Sequence, residues 1–196
     1  MSNRYFTPWI GKNYEANKVL IMSESAYNWL DEGQIATPQR SHAQDSIAWN
    51  ITNFGKNRYF TALNRALCKT SAPTDEQMNL VWDDYAYTIF VQESVGLGAG
   101  IRPTGDHWQD AGPHFMSLLA QIRPLKVIVT GKDMWGMMPE CSARLLDDLQ
   151  AYKLSDGELV WCLALPHPAA NRIQGFQWEK IGESIQLFKA TSFPRS

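Results

Sequence analysis

Two short polar segments carry residue types that can do chemistry, and each directly follows an apolar run. The first is the segment of residues 23–28, Ser-Glu-Ser-Ala-Tyr-Asn, which follows the run of residues 18–22. A carboxylate such as Glu24 can orient or deprotonate a water, and a hydroxyl such as that of Ser25 can bind an anion or the edge of a base. The ring of Tyr27 can bound a planar pocket. The alternative is a capping turn that faces solvent and carries a core tyrosine.

The second segment, residues 167–170, places an imidazole between two prolines. Pro166 and Pro168 restrict their own φ angles, so we expect the side chain of His167 to be held in one orientation. A histidine fixed at the carboxyl end of a strand suits the stabilisation of a developing anion. The alternative is a histidine whose hydrogen bonds serve structure alone.

The elements that must position these segments follow from the apolar pattern. Buried strands are predicted at residues 18–22, 85–91, 125–130 and 159–165. Helices are predicted at residues 57–68, from a capping box at residues 74–77, and at residues 107–122, 142–152 and 176–190. This alternation predicts a single α/β domain over residues 1–196, a three-layer α/β/α sandwich around a central, mostly parallel four-stranded sheet. Residues 31–46 are expected to form a long irregular loop.

Open α/β sheets bind ligands at the carboxyl ends of their strands. This rule marks residues 23–29, 92–94, 131–135 and 166–172. Residues 131–135 lack the second glycine of a phosphate-binding P-loop, and the chain has no GxSxG or HExxH motif. The three widely spaced cysteines, Cys68, Cys141 and Cys162, match no zinc or iron–sulfur pattern and are expected to be reduced thiols. We therefore expect no metal and no cofactor.

The N-terminus has no apolar core of a signal peptide, and no run approaches the about 18 apolar residues of a membrane span. A cytoplasmic protein with no membrane partner is therefore expected. The net charge is −2, but residues 38–69 hold five basic residues against one acid. Such a stretch can meet phosphates, which makes Arg40, Lys56 and Arg58 candidate contacts to a nucleic-acid backbone. The alternative is a set of solvated helix faces.

Three motifs, in this order, resemble those of the uracil-DNA glycosylase superfamily, in the branch of small glycosylase-like proteins with a GESxY-type first motif. The first motif corresponds to residues 23–27, Ser-Glu-Ser-Ala-Tyr. The second corresponds to residues 123–135, which end in Gly-Lys-Asp-Met-Trp, and the third, an HPS-like loop, corresponds to residues 167–169. The resemblance covers roughly residues 8–190.

The resemblance implies base excision, in which a nucleotide is flipped out of DNA and its N-glycosidic bond is cleaved. It implies that His167 stabilises negative charge on the leaving pyrimidine and that Tyr27 excludes thymine. Ser25 stands where the uracil-specific branch has the aspartate that positions water, so Glu24 becomes the candidate for that task. The other expected base contacts are Asn28, Gln92, Trp135 and Pro168.

The base-reading asparagine of the family is not evident near the second strand, where Gln92 is the only amide. We therefore expect either uracil or another pyrimidine, such as a hypermodified cytosine of phage DNA, in DNA repair or in defence against phage. Asn171, Arg172 and Ile173 match the loop that the family inserts into the duplex.

DNA is the expected partner, and a monomer the expected state. A second class of function stays open: a non-catalytic pocket on the same fold that binds a nucleotide, a base or another protein. Ser25 and Ala169, which replace the usual aspartate and serine of the family, favour this alternative.

Overall fold

The four apolar runs of the sequence form the parallel strands at the centre of one sheet. A computed structural model of the chain describes residues 5–98, 100–170 and 177–194. Its strands are β1 (Trp9–Ile10), β2 (Val19–Ser23), β3 (Ala26–Asp31), β4 (Gln34–Ala36), β5 (Tyr85–Ile89), β6 (Ser94–Leu97), β7 (Lys126–Thr130), β8 (Ala143–Leu146), β9 (Leu149–Lys153) and β10 (Leu159–Leu165). Its helices are α1 (Tyr14–Asn17), α2 (His42–Thr52), α3 (Arg58–Cys68), α4 (Asp75–Trp82), α5 (Gly105–Ile122), α6 (Lys132–Gly136) and α7 (Trp178–Ala190).

The larger sheet has seven strands in the order β1-β5-β2-β7-β10-β9-β8. Its central strands β5, β2, β7 and β10 are parallel to one another, and β1, β9 and β8 add antiparallel pairs at the two sides. The prediction of an α/β fold with a mostly parallel central sheet is confirmed. The prediction of four strands was wrong, because β1 extends one edge of the sheet and β9 and β8 extend the other.

The helix predicted over residues 142–152 was wrong as well. Leu145, Leu146 and Leu149 have helical spacing, yet the segment forms the β8–β9 hairpin, and β9 pairs with the free edge of β10. The residues from Leu149 to Tyr152 are buried without interruption. A strand covered on both faces permits continuous burial, whereas a surface helix would expose one side.

Each face of the larger sheet packs against its own hydrophobic cluster. On β2, Val19 and Ile21 belong to one cluster, and Leu20 and Met22 belong to the other, as the alternation of a strand requires. Helices α2, α3, α4 and α7 contribute buried side chains to the first cluster, and α1, α5 and α6 contribute to the second. Helices therefore cover both faces of the sheet.

The predicted helix starts at residues 57 and 74 are confirmed by their capping bonds. The Asn57 side chain accepts a hydrogen bond from the Phe60 N–H at 3.2 Å at the start of α3. At the start of α4, Thr74 and Gln77 form the reciprocal capping box that their spacing predicts.

A second, three-stranded sheet of order β4-β3-β6 follows directly after β2 in the chain and carries Tyr27 and Asn28. The prediction of an irregular loop over residues 31–46 was therefore wrong, because β4 and the first turns of α2 lie within it. Glu32 and Gly33 both adopt left-handed backbone angles, with φ of 48° and 81°. Two such residues make the tight turn that joins the antiparallel strands β3 and β4.

The strand order predicts a crevice at the carboxyl edge of the larger sheet. From β2 the chain moves to β5 on one side, and from β7 it moves to β10 on the other. Between two strands whose connections leave in opposite directions, the loops diverge and open a ligand-binding crevice. Here that crevice lies beyond Ser23 at the end of β2 and Thr130 at the end of β7.

Helices α3 and α7 approach each other at a glycine, which yields a stability prediction. A Cβ atom on Gly182 would lie 2.6 Å from the Ala66 carbonyl oxygen, so Gly182→Ala must push α7 away from α3. We expect a loss of about 1–3 kcal/mol in the free energy of unfolding. In Gly105→Ala, the matched control on α5, the new methyl meets open space, and this variant should not be destabilised. Chemical denaturation measures both, and equal stabilities of the two variants would contradict the close packing.

Candidate functional site

Three polar loops meet in the crevice at the carboxyl edge of the larger sheet. Glu24 follows β2, Gly131 and Asp133 follow β7, and His167 follows β10. A Cβ placed on Gly131 would lie 3.9 Å from Cδ2 of His167, so the loop after β7 lies beside the imidazole. Arg102 joins Glu24 to Asp133 of the same loop, so the two segments singled out in the sequence belong to one region.

Glu24 is a buried carboxylate with one cationic partner. Its Oε2 accepts a hydrogen bond of 2.9 Å from Nη2 of Arg102, and the same nitrogen donates to Oδ2 of Asp133 at 2.7 Å. Burial raises the pKa of Glu24, and the charge of Arg102 opposes this rise while Asp133 adds to it. The result is a carboxyl group that binds its proton more tightly than usual yet is paired with a cation that favours the ionised form.

The backbone fixes the imidazole of His167. Its Nδ1 accepts a hydrogen bond of 3.2 Å from the Ala169 N–H, and its carbonyl accepts one of 2.8 Å from the Ala170 N–H. Burial lowers the pKa of His167, and the positive charge of Arg102 lowers it further, against the opposing effect of Asp133. A neutral ring whose Nδ1 is an acceptor carries its hydrogen on Nε2, so Nε2–H is the donor left for a ligand.

Tyr59 of α3 supports the histidine and was not predicted as a site residue. Its ring centroid lies 5.4 Å from that of His167, and its hydroxyl is 2.7 Å from Oγ1 of Thr130. Thr130 Oγ1 donates to the Met22 carbonyl at 2.8 Å, so the tyrosine hydroxyl is the donor in the first bond. This chain of bonds joins α3, β7 and β2 beneath the crevice. The helical spacing of Tyr59 in the sequence fits a core residue equally well.

The segment of residues 23–28 contains two buried polar atoms that lack a partner. In the part of the chain that the structure describes, Ser25 Oγ and Asn28 Oδ1 are buried without a hydrogen bond. Buried polar atoms are nearly always paired in folded proteins, so such atoms beside a crevice suit a ligand. Tyr27, between them, is partly buried and lies where the register of β3 against β6 shifts between Ala26 and Asn28.

Two other predicted base contacts already have structural bonds. Gln92 accepts the Phe6 N–H on Oε1 at 2.8 Å and donates from Nε2 to the Ile89 carbonyl. Trp135 donates from Nε1 to the Asp147 carbonyl at 2.9 Å. Gln92 can read a base only through its remaining lone pair and N–H, and Trp135 only through its ring. The buried Pro168 follows the histidine directly.

The predicted DNA contacts divide into described and undescribed residues. Arg40, Lys56 and Arg58 are exposed. Arg58 is the first residue of α3, directly before Tyr59, whose ring lies next to His167. These three thus form part of the surface on the side of α2 and α3. The predicted wedge, Arg172 and Ile173, and the predicted DNA contact Asn171 lie outside the described residues.

A scan of the sequence against protein-family models gives no match, and a search of curated proteins gives none either. Across residues 5–98, 100–170 and 177–194, no helix combines the length and apolar character needed to cross a membrane. The case for a function therefore depends on the chemistry of the crevice.

The electrostatic coupling in the crevice predicts that removing Asp133 and removing Arg102 shift the pKa of His167 in opposite directions. Asp133→Asn should lower the pKa of His167, because it removes an anion that favours the imidazolium, and Arg102→Gln should raise it by removing a cation. NMR titration of the imidazole resonances measures both shifts. His42, whose pKa is lowered by burial and raised by Asp45, is the control in the same spectra and should not move. Shifts of His167 in the same direction in both variants would refute the coupling.

Proposed function

We propose that this protein is a DNA glycosylase of the uracil-DNA glycosylase superfamily, which flips out a pyrimidine nucleotide and hydrolyses its N-glycosidic bond. The observation that carries the proposal is the hydrogen bond from the Ala169 N–H to Nδ1 of His167. It leaves a neutral imidazole with an Nε2–H donor, in a loop at the end of a parallel strand, close to a buried carboxylate. The His-Pro-Ala motif of the sequence and its position on the fold support the same reading.

The reaction needs a hydrogen-bond donor for the departing anionic base and a proton acceptor for the attacking water, and the crevice offers both. When the bond between C1′ and the base nitrogen breaks, its electron pair leaves with the base, and negative charge gathers on a pyrimidine oxygen. The Nε2–H of His167 donates to that oxygen. Water attacks C1′, and Glu24 takes a proton from it, which finally neutralises the base.

The division of roles within residues 23–28 follows from the bonds of these residues. Glu24 Oε2 is held by Arg102, and Oε1 has no hydrogen bond to any described residue, so Oε1 is the atom we assign to water. Ser25 and Asn28 offer unpaired polar atoms to a base or a sugar. The ring of Tyr27 bounds the pocket and excludes thymine.

The substrate we propose is uracil or a hypermodified cytosine such as those of phage DNA. With both polar atoms of the Gln92 amide engaged by the backbone, the reading of the base falls to Ser25 and Asn28. In this pocket the base would be recognised by the hydroxyl of Ser25 and by the amide of Asn28, which lies on β3 of the smaller sheet. Such a pocket differs from one that is specific for uracil alone. We expect the enzyme to act as a monomer in the cytoplasm, where its cysteines stay reduced.

The direct test is base release from oligonucleotides that carry uracil, hypoxanthine or modified cytosines, followed by alkaline cleavage at abasic sites. We expect the wild type to cleave at least one of them and His167→Ala to lose about 10²–10³-fold in single-turnover rate, as for the loss of a preorganised donor. The melting temperature should change little, because His167 lies in a partly exposed loop.

His114→Ala is the matched control, since His114 lies against Tyr5 and belongs to α5, a helix that carries none of the residues assigned to the reaction, and it should keep the wild-type rate. Cleavage of none of the substrates would contradict the enzymatic proposal and favour the non-catalytic base-binding module. A collapse of the melting temperature in His167→Ala would instead assign this residue a structural role.

A further inference from the structure

Arg102 is shared by two carboxylates that come from the ends of different strands. Its Nη2 donates to Glu24 after β2 and to Asp133 after β7, so it bridges the mouth of the crevice. The three side chains differ widely in exposure: 5% for Glu24, 53% for Arg102 and 76% for Asp133. One of the two ion pairs is therefore anchored in the protein, and the other is open to solvent.

The guanidinium of Arg102 has N–H groups that are not used by its two ion pairs. Both ion pairs use Nη2, and within residues 5–98, 100–170 and 177–194 no acceptor is bonded to Nε or Nη1 of Arg102. A guanidinium presents its N–H groups as a planar fork that matches the oxygens of a phosphate. Arg102 can therefore receive an anion on its open side without releasing Glu24.

The charge balance of the crevice favours such an exchange when nucleic acid arrives. With Glu24 and Asp133 ionised and His167 neutral, the cluster around Arg102 has one negative charge in excess. A phosphodiester would be repelled unless it displaced a carboxylate. Displacing Asp133 costs little, because ion pairs between exposed groups contribute little. Displacing Glu24 would leave a buried carboxylate without a partner, which costs far more.

Ile101, the residue before Arg102, packs against β6. Gly96 within β6, and Gly98 and Gly100 after it, adopt φ angles of 140°, 89° and 96°. A Cβ on Gly96 would lie 2.9 Å from Cδ1 of Ile101, so the side chain before Arg102 closes over this glycine. The contact of Ile101 with Gly96 places Arg102 next to the end of β6.

We propose that Arg102 binds a phosphodiester of the substrate strand, which takes the place of Asp133 on the guanidinium while Glu24 keeps its ion pair. This inference rests on the proposed function and names the part of the substrate that the crevice recognises first. Bound in this way, the strand brings the sugar next to the phosphate close to Glu24 and His167. Asp133 therefore competes with the phosphodiester for Arg102, and it is bound to the guanidinium only when the substrate is absent.

The chain contains a matched control for this cluster at the opposite edge of the sheet. Arg123, which precedes β7, donates from Nη2 to Asp156 and to Glu158. The number and type of charges are the same, but the cluster lies at the amino ends of the strands. Arg123→Gln and Asp156→Asn therefore report what a change of charge alone does to DNA binding.

The test is fluorescence anisotropy of a labelled single-stranded oligonucleotide that carries a stable tetrahydrofuran abasic site, titrated at several salt concentrations. Arg102→Gln should weaken binding about 10- to 100-fold, as expected for charge-assisted hydrogen bonds. It should also reduce the slope of log K against log salt by about 0.7, the value of one phosphate contact. Asp133→Asn should tighten binding about two- to fivefold. Arg123→Gln and Asp156→Asn should leave the slope unchanged.

Arg102→Lys keeps the charge and loses the fork, and it replaces Arg102→Gln in the comparison if the latter fails to fold. Equal effects of Arg102→Gln and Arg123→Gln, or weaker binding by Asp133→Asn, would overturn the inference. Base excision that is indifferent to Arg102 would overturn it and leave the glycosylase proposal intact. DNA binding that depends on Arg102, without base excision from any substrate, would support the inference and contradict the glycosylase proposal.

Discussion

Strand β2 is paired in parallel on both sides, and its five residues are all buried. A shift of one residue would exchange Val19 and Ile21 with Leu20 and Met22 between the two clusters and break both ladders at once. The register of β2 is therefore fixed by the ladders to β5 and β7 and by the hydrophobic clusters on the two faces of the sheet. This constraint determines that the chain leaves the sheet at Ser23, so that Glu24 is the first side chain delivered to the crevice. The register of β7 against β2 places Gly131 and Asp133 beside it in the same way.

Burial and one cation together set the protonation states in the crevice. Burial favours the neutral form of both Glu24 and His167, which raises the pKa of the carboxyl group and lowers that of the imidazole. The charge of Arg102 opposes the first effect and adds to the second. A single guanidinium thus favours an ionised carboxylate and a neutral histidine at the same time. A water-activating base and a hydrogen-bond donor require these two states.

The sequence was sufficient for those parts of the molecule whose pattern is local. Continuous apolar runs predicted all four central strands, and the rule that ligands bind at carboxyl ends of strands brought Glu24 and His167 together. The β8–β9 hairpin was misread because three leucines at helical spacing do not reveal which edge of a sheet is free to pair. Arg102 could not be found, since it is 78 residues from Glu24 in the chain and its role depends on a turn between β6 and α5. Tyr59 was missed because a core position and a support for His167 share one helical pattern.

The central claim is that excision uses a neutral His167 and an ionised Glu24, and the pH dependence of single-turnover base release tests it most directly. Because burial lowers the pKa of His167 below the usual 6.5 and raises that of Glu24 above the usual 4.5, the rate should reach a plateau at high pH and fall as the pH is lowered, with the histidine limb below pH 6.5 and the carboxylate limb above pH 4.5. Glu24→Gln should lower the plateau and keep only the histidine limb. A rate that rises as the pH falls below 6.5 would mean that the imidazolium drives the reaction, and it would contradict the account.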